Sequence, residues 1–416
     1  MTSEKPLSAV SEWRAFWVLP FAAMVGYSTM GLQSYAIGPF VAPLENEFGW
    51  SRANVMLGIS ISNAVGIFLN AAIGMIVDRI GPRRVALTGL FVKSGAFALL
   101  GTATGALLNW SLLWLLVAFG LLLVQSTVWS SAVASRFDKS RGLAMAVALS
   151  GTPLAALIAP VLATYLIESY GWRTGFAGVG GVWLAFTLPV VFLWFHDTRS
   201  TARRRQEEAP RPPAEMPGLT FREGIRTRAF SRLFISFGCF SFYSMTISVN
   251  LVPLIAETGM DAMKAAGIAS IMGLVGIIAR LTVGMLLDRF PGHIIGTFTQ
   301  LLPVIGCILL LTGDSSTLLV VLAVITFGAA LGAEIDVALY LASRHFGLRS
   351  FAALFGGIIG FGAVNAAIGP YVAGLLHDIW GSYDPLLIVT VVMLGLGALA
   401  IATLGRPPEA LPGGGH

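Results

Sequence analysis

GMIVDRIG at residues 74–81 and GMLLDRFP at residues 284–291 are two versions of one octapeptide, 210 residues apart. Each closes an apolar run with an acid, a base and a turn former. Shifting the chain on itself by the same 210 residues also sets PLENEFGWS from Pro43 against PLIAETGMD from Pro253, Pro160 against Pro370, and Gly171 against Gly381. At a shift of 208, SRFDKSR from Ser135 meets SRHFGLR from Ser343. Anchors at nearly one offset mark a duplicated chain, and duplicated membrane bundles place their binding site between the copies.

Composition says what is duplicated. The 416 residues are 56% hydrophobic and 11% charged, with a mean hydropathy of +0.80, whereas a soluble domain carries about 25% charged residues. Crossing roughly 30 Å of hydrocarbon takes about 20 apolar residues, and runs of that length recur about twelve times, from 16–40 to 384–404. The fold expected is all-α and integral to the membrane, with twelve transmembrane helices in two pseudo-symmetric six-helix bundles. Residues 1–195 form the first bundle, 196–230 a polar, Pro-containing linker, and 231–416 the second bundle. The polar start MTSEKPLSAVSEWR leads into a full-length span without a cleavage pattern, so the first helix is expected to be retained.

The net charge of +5 raises the question of a polyanionic partner. Placement answers it. With alternating spans, Lys5, Arg14, Arg79, Arg83, Arg84, Arg136, Lys139, Arg141, the run from Arg199 to Arg232, Arg289, Arg344, Arg349 and Arg406 fall on one side, against Arg52, Arg173 and Lys264 on the other. Basic loops stay in the cytoplasm, so both termini are expected there, in a multi-pass protein of the inner membrane. The basic excess records topology, with no call for nucleic acid. Cys239 and Cys307 lie in apolar spans without CxxC or a histidine mate and read as small core residues. No HExxH, GxSxG or P-loop is present, so neither an enzyme nor a metal or cofactor is expected.

On these residues the chain resembles the major facilitator superfamily. Gly74, Asp78, Arg79, Gly81, Arg83 and Arg84 look like its signature loop between the second and third spans, and Gly284, Asp288 and Arg289 like the weaker second copy. The resemblance implies two bundles rocking about a central cavity, with these residues closing the cytoplasmic gate.

Charges inside the bilayer are costly and functional by default. Arg280, Glu334 and Asp336 are the interior charges read here, all in the second half. At 1.5 Å per residue, Arg280 stands roughly 12 Å and Glu334 roughly 15 Å from their cytoplasmic helix ends, near a common depth. Glu334 and Asp336 lie about 200° apart around a helix, so at most one faces a cavity squarely. An arginine fork grips a carboxylate with two parallel bonds and stays charged. A carboxyl group withdrawn from water exchanges a proton nearer neutrality and can couple proton to substrate movement. A structural Arg280–Glu334 pair is the plainer alternative.

GIIARLTVGMLLDRF, residues 276–290, is also similar to the eighth span of the monocarboxylate transporters, where an arginine in an AR dipeptide contacts the substrate carboxylate. That resemblance implies the same role for Arg280. The stretch is similar too to the oxalate and formate exchangers, which also place an arginine in this span. Three features depart from these families: Gly276 stands where animal monocarboxylate transporters carry an aspartate, the first span has no lysine, and the eleventh lacks the lysine of the oxalate exchanger. Glu334 or Asp336 is then the expected proton carrier, and one cationic site is expected, fitting one carboxylate.

The remaining cavity wall is read from polar helical stripes: Tyr27, Ser34 and Tyr35 in the first span, Tyr243 and Asn250 in the seventh, with Gln125, Ser126 and Asn365. Polar residues also mediate helix packing in lipid. The function expected is proton-coupled symport of a small monocarboxylate by a monomer, with an organic anion exchanger or proton-driven exporter as the alternative.

Overall fold

The computed structural model describes residues 9–137, 139–196, 218–287, 289–312, 316–347, 349–405 and 407, without the side chains of 70–72, 74, 75 and 78. Among them the secondary structure is helical apart from one isolated bridge, Gly218 to Gly347. Sixteen α-helices are labelled in chain order. The first half holds α1 Ala9–Phe16, α2 Val18–Ala36, α3 Val41–Phe48, α4 Arg52–Ile80, α5 Pro82–Leu99, α6 Leu107–Leu123, α7 Ser126–Ala134, α8 Arg141–Leu149 and α9 Gly151–Trp194. After the linker come α10 Phe221–Ile225, α11 Arg228–Ala256, α12 Ala262–Leu287, α13 Gly292–Thr312, α14 Thr317–Phe346, α15 Phe351–Trp380 and α16 Asp384–Ala402.

By length and apolarity, ten described helical stretches can each cross a membrane, and eleven if the bent pair Ala9–Phe16 and Val18–Phe48 is one span. The twelfth is concealed in α9. Its 44 residues would extend about 66 Å at 1.5 Å per residue, twice the hydrocarbon thickness, and Gly171 breaks it with φ 79° and ψ 163°. That backbone suits glycine alone, so α9 is two spans joined at a corner. Large exposed apolar side chains such as Phe68, Phe91 and Ile379 would be liabilities in water and suit a lipid-facing wall.

An even number of spans returns Ala9, the start of α1, and Ala402, the end of α16, to one face, called here the terminal face, and the opposite face is the distal one. Between the halves, α4 packs on α15 and α9 on α12, while α2 meets α11. Small residues permit this. A Cβ on Gly273 of α12 would collide with the backbone of Pro153 and Leu157 in α9, so glycine sets how near the halves approach.

The linker re-enters the description at Gly218. Leu219 N donates to Phe346 O at 2.9 Å, and Thr220 and Glu223 form a capping box on α10. The amide and hydroxyl of Thr220 hold the exposed Glu223 carboxyl below its usual range, because both donate to its charged form.

Candidate functional site

A cavity of about 900 Å³ opens between α8 of the first half and α12, α14 and α15 of the second, with Leu149, Arg280, Gly284, Asp336 and Tyr340 in its wall. These residues occupy the terminal-face halves of their helices. Arg280 sits at its inner end, only 9% exposed, and Asp336 is about one-third exposed.

Helix packing brings the two together. A Cβ on Gly332 of α14 would strike the Gly276 carbonyl and the Arg280 amide of α12. This backbone contact sets Asp336, one turn after Gly332, beside the guanidinium. Arg280 Nε donates to Asp336 Oδ2 at 3.2 Å, and Nη1 donates to Leu149 O at 2.7 Å. Leu149 is the last residue of α8, just before the break at Ser150, where a helix leaves carbonyls without intrahelical donors. The arginine therefore ties the second half to the first. Its acid comes from the facing helix, while Gly276, one turn before it on its own helix, serves packing.

Glu334 is placed differently. It is 4% exposed and its Oε2 is enclosed without a donor. The 200° separation read from the sequence holds: Asp336 lines the cavity and answers Arg280, whereas Glu334 points into the packed bundle. An Arg280–Glu334 pair is absent among the described residues. Glu334 lies instead within electrostatic reach of Tyr243.

Tyr27 and Tyr35 of α2 converge on the same region. Tyr27 faces Ser126 and lies within the field of Arg280 and Tyr35, while Tyr35 faces Ser248 of α11. Ser34 Oγ reaches Met245 Sδ across the halves at 3.6 Å. Tyr243 is fully buried, its hydroxyl donating to Phe327 O at 3.3 Å. Three other stripe positions are held elsewhere. Asn250 donates to Thr246 O and accepts from Tyr383 Oη at 2.9 Å near the distal end. Asn365 donates to Phe361 O on its own helix. Gln125 stands at the break between α6 and α7.

At the duplicated loop, Arg83 donates to Phe192 O at 2.6 Å and stacks over the Phe192 ring. Arg79, Arg84 and Arg289 are exposed, and Gly284 lines the cavity. Asp288 and the side chains of Gly74, Asp78 and Asn70 lie outside the described residues.

Two constellations escaped the sequence reading. The first closes the distal face. Arg52, at the start of α4, pairs with Glu45 at 2.9 Å and Glu257 at 3.0 Å, and Glu257 also meets His377 Nε2 at 2.6 Å. Asp378 of α15 accepts the backbone N–H of Arg52 at 2.8 Å and of Ala53 at 2.9 Å. A carboxylate from one half thus caps a helix of the other. Arg52 also lies over the Tyr383 ring, 5.2 Å from its centroid. The 210-residue shift sets Glu47 against Glu257, whereas the acid in this network is Glu45, and a histidine at a span end carries no sign of its partner.

The second corrects the expectation of a single interior cation in the second half. Lys93 lies inside α5, is fully buried, and donates to Gln33 Oε1 of α2. A lone lysine amid apolar residues was legible by position; its amide partner was not.

The Major Facilitator Superfamily profile matches residues 23–364. The chain belongs to that family. It is 26% identical over 374 residues to monocarboxylate transporter 13 of Rattus norvegicus, covering 88% of this chain and 82% of that protein. It is 24% identical over 438 residues to the 4-hydroxybenzoate transporter PcaK of Acinetobacter baylyi, covering 96% and 92%. Among solved structures, a mutant of the nucleoside transporter NupG superposes with a TM-score of 0.73 at 12% identity, covering 94% of this chain and 100% of that one. A D-xylose-proton symporter gives 0.69 at 15% identity, covering 97% and 99%. At such identities the structures speak for the fold: an all-α, multi-pass membrane protein of two six-helix bundles.

Proposed function

We propose that this member of the superfamily is a proton-coupled carrier of a small monocarboxylate, in the inner membrane, with its terminal face cytoplasmic. The observation that carries the reading is Arg280 at the cavity wall, held by one acid from its own bundle and one carbonyl from the other. A substrate carboxylate that takes the Nε–Nη2 side of the guanidinium fork displaces Asp336 from Nε. A proton on Asp336 removes its competing charge. Anion and proton then enter together, and an empty, deprotonated site restores the Arg280–Asp336 bond before the bundles rock back.

The distal network of Arg52, Glu257 and Asp378 is closed while the cavity reaches the terminal face, so the arrangement reads as the inward-facing state of an alternating-access cycle. The basic loops on the terminal face support its cytoplasmic assignment. The names of the relatives, monocarboxylate and 4-hydroxybenzoate transporters, support a carboxylate as cargo. Tyr27, Ser34, Tyr35, Ser126 and Tyr243 shape the cavity around it, and Asp78, Arg79, Arg83, Arg84, Asp288 and Arg289 close the cytoplasmic side in the opposite state. Gln125, Asn250 and Asn365 are assigned to the substrate path in that state.

The test uses proteoliposomes with radiolabelled lactate or 4-hydroxybenzoate. Asp336→Asn imitates the protonated acid, so counterflow exchange persists while accumulation driven by a pH gradient falls. Glu334→Gln is expected to keep accumulation, because Glu334 does not touch the guanidinium. The reverse pattern assigns the proton to Glu334. Wild-type accumulation that ignores a protonophore would make the protein an anion exchanger and end the symport reading. A thermal-shift panel of aliphatic and aromatic carboxylates identifies the cargo, since ligand stabilises the folded protein by mass action.

A further inference from the structure

The first bundle holds an ionisable side chain that this mechanism does not use. Lys93 of α5 is completely enclosed, and Gln33 Oε1, its acceptor, also accepts from Ser62 Oγ of α4 at 3.3 Å. Helices α2, α4, α6, α7 and α9 all pack on α5. Among the described residues none sends Lys93 a carboxylate, a histidine or an arginine. The charged residues on these helices stand elsewhere along the chain: Arg52 at the start of α4, Asp78 and Arg79 at its end, Glu168 and Arg173 beside the Gly171 corner. Of the α2 tyrosines, Tyr27 faces Ser126 and Tyr35 faces Ser248.

A polar link between these helices needs no charge. In the second bundle Gln300 of α13 donates its amide to Ser236 of α11. Under the duplication α13 matches α5 and α11 matches α2, and counted from the helix starts Gln300 and Lys93 fall on the same face one turn apart. Where one bundle uses a neutral amide, the other uses an amine, whose charge is far costlier to bury without an anion. Such a site exchanges a proton more readily than it keeps a fixed charge. One polar atom without a partner shares the face of its acceptor: Thr29 Oγ1, one turn before Gln33 on α2. Gln33 also precedes Ser34, which touches Met245 of the other bundle. The helix that holds the acceptor for Lys93 therefore also lies at the interface between the bundles.

We infer that Lys93 is a second proton site, loaded and emptied once per cycle as α2 moves, so that two protons accompany each monocarboxylate and one net positive charge crosses. The balance is explicit. Asp336 carboxylate takes one proton to become the acid, the Lys93 amine takes another to become the ammonium, and both leave on the side where the anion leaves. The inference rests on the symport reading, with Asp336 as the first carrier.

Proteoliposomes and the same labelled lactate or 4-hydroxybenzoate separate the two. A pH gradient at zero potential tests symport; an inside-negative potential at constant pH tests the second proton. One net charge raises wild-type accumulation about tenfold per 59 mV. Lys93→Gln keeps the bond to Gln33 without the proton, so counterflow and the pH-gradient response remain while the response to potential is lost. Lys93→Arg, which keeps both bond and charge but does not release its proton, loses the same response. A purely structural lysine would leave the potential response intact in whichever variant retains counterflow. Wild-type accumulation that follows the pH gradient and ignores potential overturns the inference without any variant and leaves symport standing. Wild type unresponsive to the pH gradient, or unable to exchange either carboxylate, overturns both.

Discussion

Arg280→Lys is expected to weaken binding of the substrate anion roughly 10- to 100-fold, and Arg280→Ala to abolish proton-driven uptake. Hydrogen bonds to charged groups contribute about 1.5–3 kcal/mol each, and each 1.4 kcal/mol is tenfold in affinity. Lysine keeps the charge but not the fork. Its ammonium cannot reach Asp336 and Leu149 O while presenting two parallel donors to a carboxylate. Arg280→Ala also leaves Asp336 beside the cavity without its counter-charge, so part of the loss would be structural. The double variant Arg280→Ala, Asp336→Asn separates the two: thermal stability should recover while transport does not. Titration calorimetry on the purified protein and counterflow in proteoliposomes supply the numbers. Wild-type affinity in Arg280→Lys would exclude fork recognition of the anion.

The second large effect concerns the distal face. Asp378→Asn is expected to shift the conformational balance toward opening on that side by roughly 5- to 150-fold, the range of a 1–3 kcal/mol coupling. Asp378 accepts two first-turn amides of α4 from the other bundle, and its negative charge suits a helix N-terminus. The neutral amide keeps one acceptor oxygen and loses both the charge and the second acceptor. Arg52→Ala keeps both amide donors to Asp378 and removes instead the cross-half ion pair to Glu257, so it should shift the balance in the same direction. Spin labels at Asn46 and Ser382, on distal ends of the two bundles, would report a longer distance population in both variants. An unchanged distribution would mean that apolar packing of α4 on α15 holds this face shut unaided.

The residues involved explain why some of this was readable in advance. The octapeptide repeat, the length of the apolar runs and the uneven distribution of arginines are one-dimensional facts, and each has a direct consequence in a membrane. Depth is also one-dimensional: 1.5 Å per residue set Arg280 and Glu334 at a common level. The 200° between Glu334 and Asp336 likewise follows from helical geometry, so the prediction that only one faces the cavity needed no neighbour. Choosing between them did. Gly332 lies against the Gly276 carbonyl, and that contact fixes the rotation of α14 relative to α12.

Lys93 and the distal network mark the other limit. Lys93 is a single lysine in the third span, and nothing in its own helix announces Gln33 or Ser62, which come from two others. His377 and Asp378 occupy a span end, where polar residues are ordinary, and only the approach of α15 to α4 turns them into a cap and an ion pair. The sequence by itself determined a duplicated, twelve-span membrane protein, an arginine at mid-depth and two acids on opposite sides of one helix. The tertiary structure alone decided that Asp336 answers Arg280, that Leu149 O reaches it from the other bundle, and that the distal face is closed. The physical reason is that periodicity defines faces along one helix, whereas pairing across helices depends on rotation and approach, which small residues such as Gly273 and Gly332 set only once the bundles are packed.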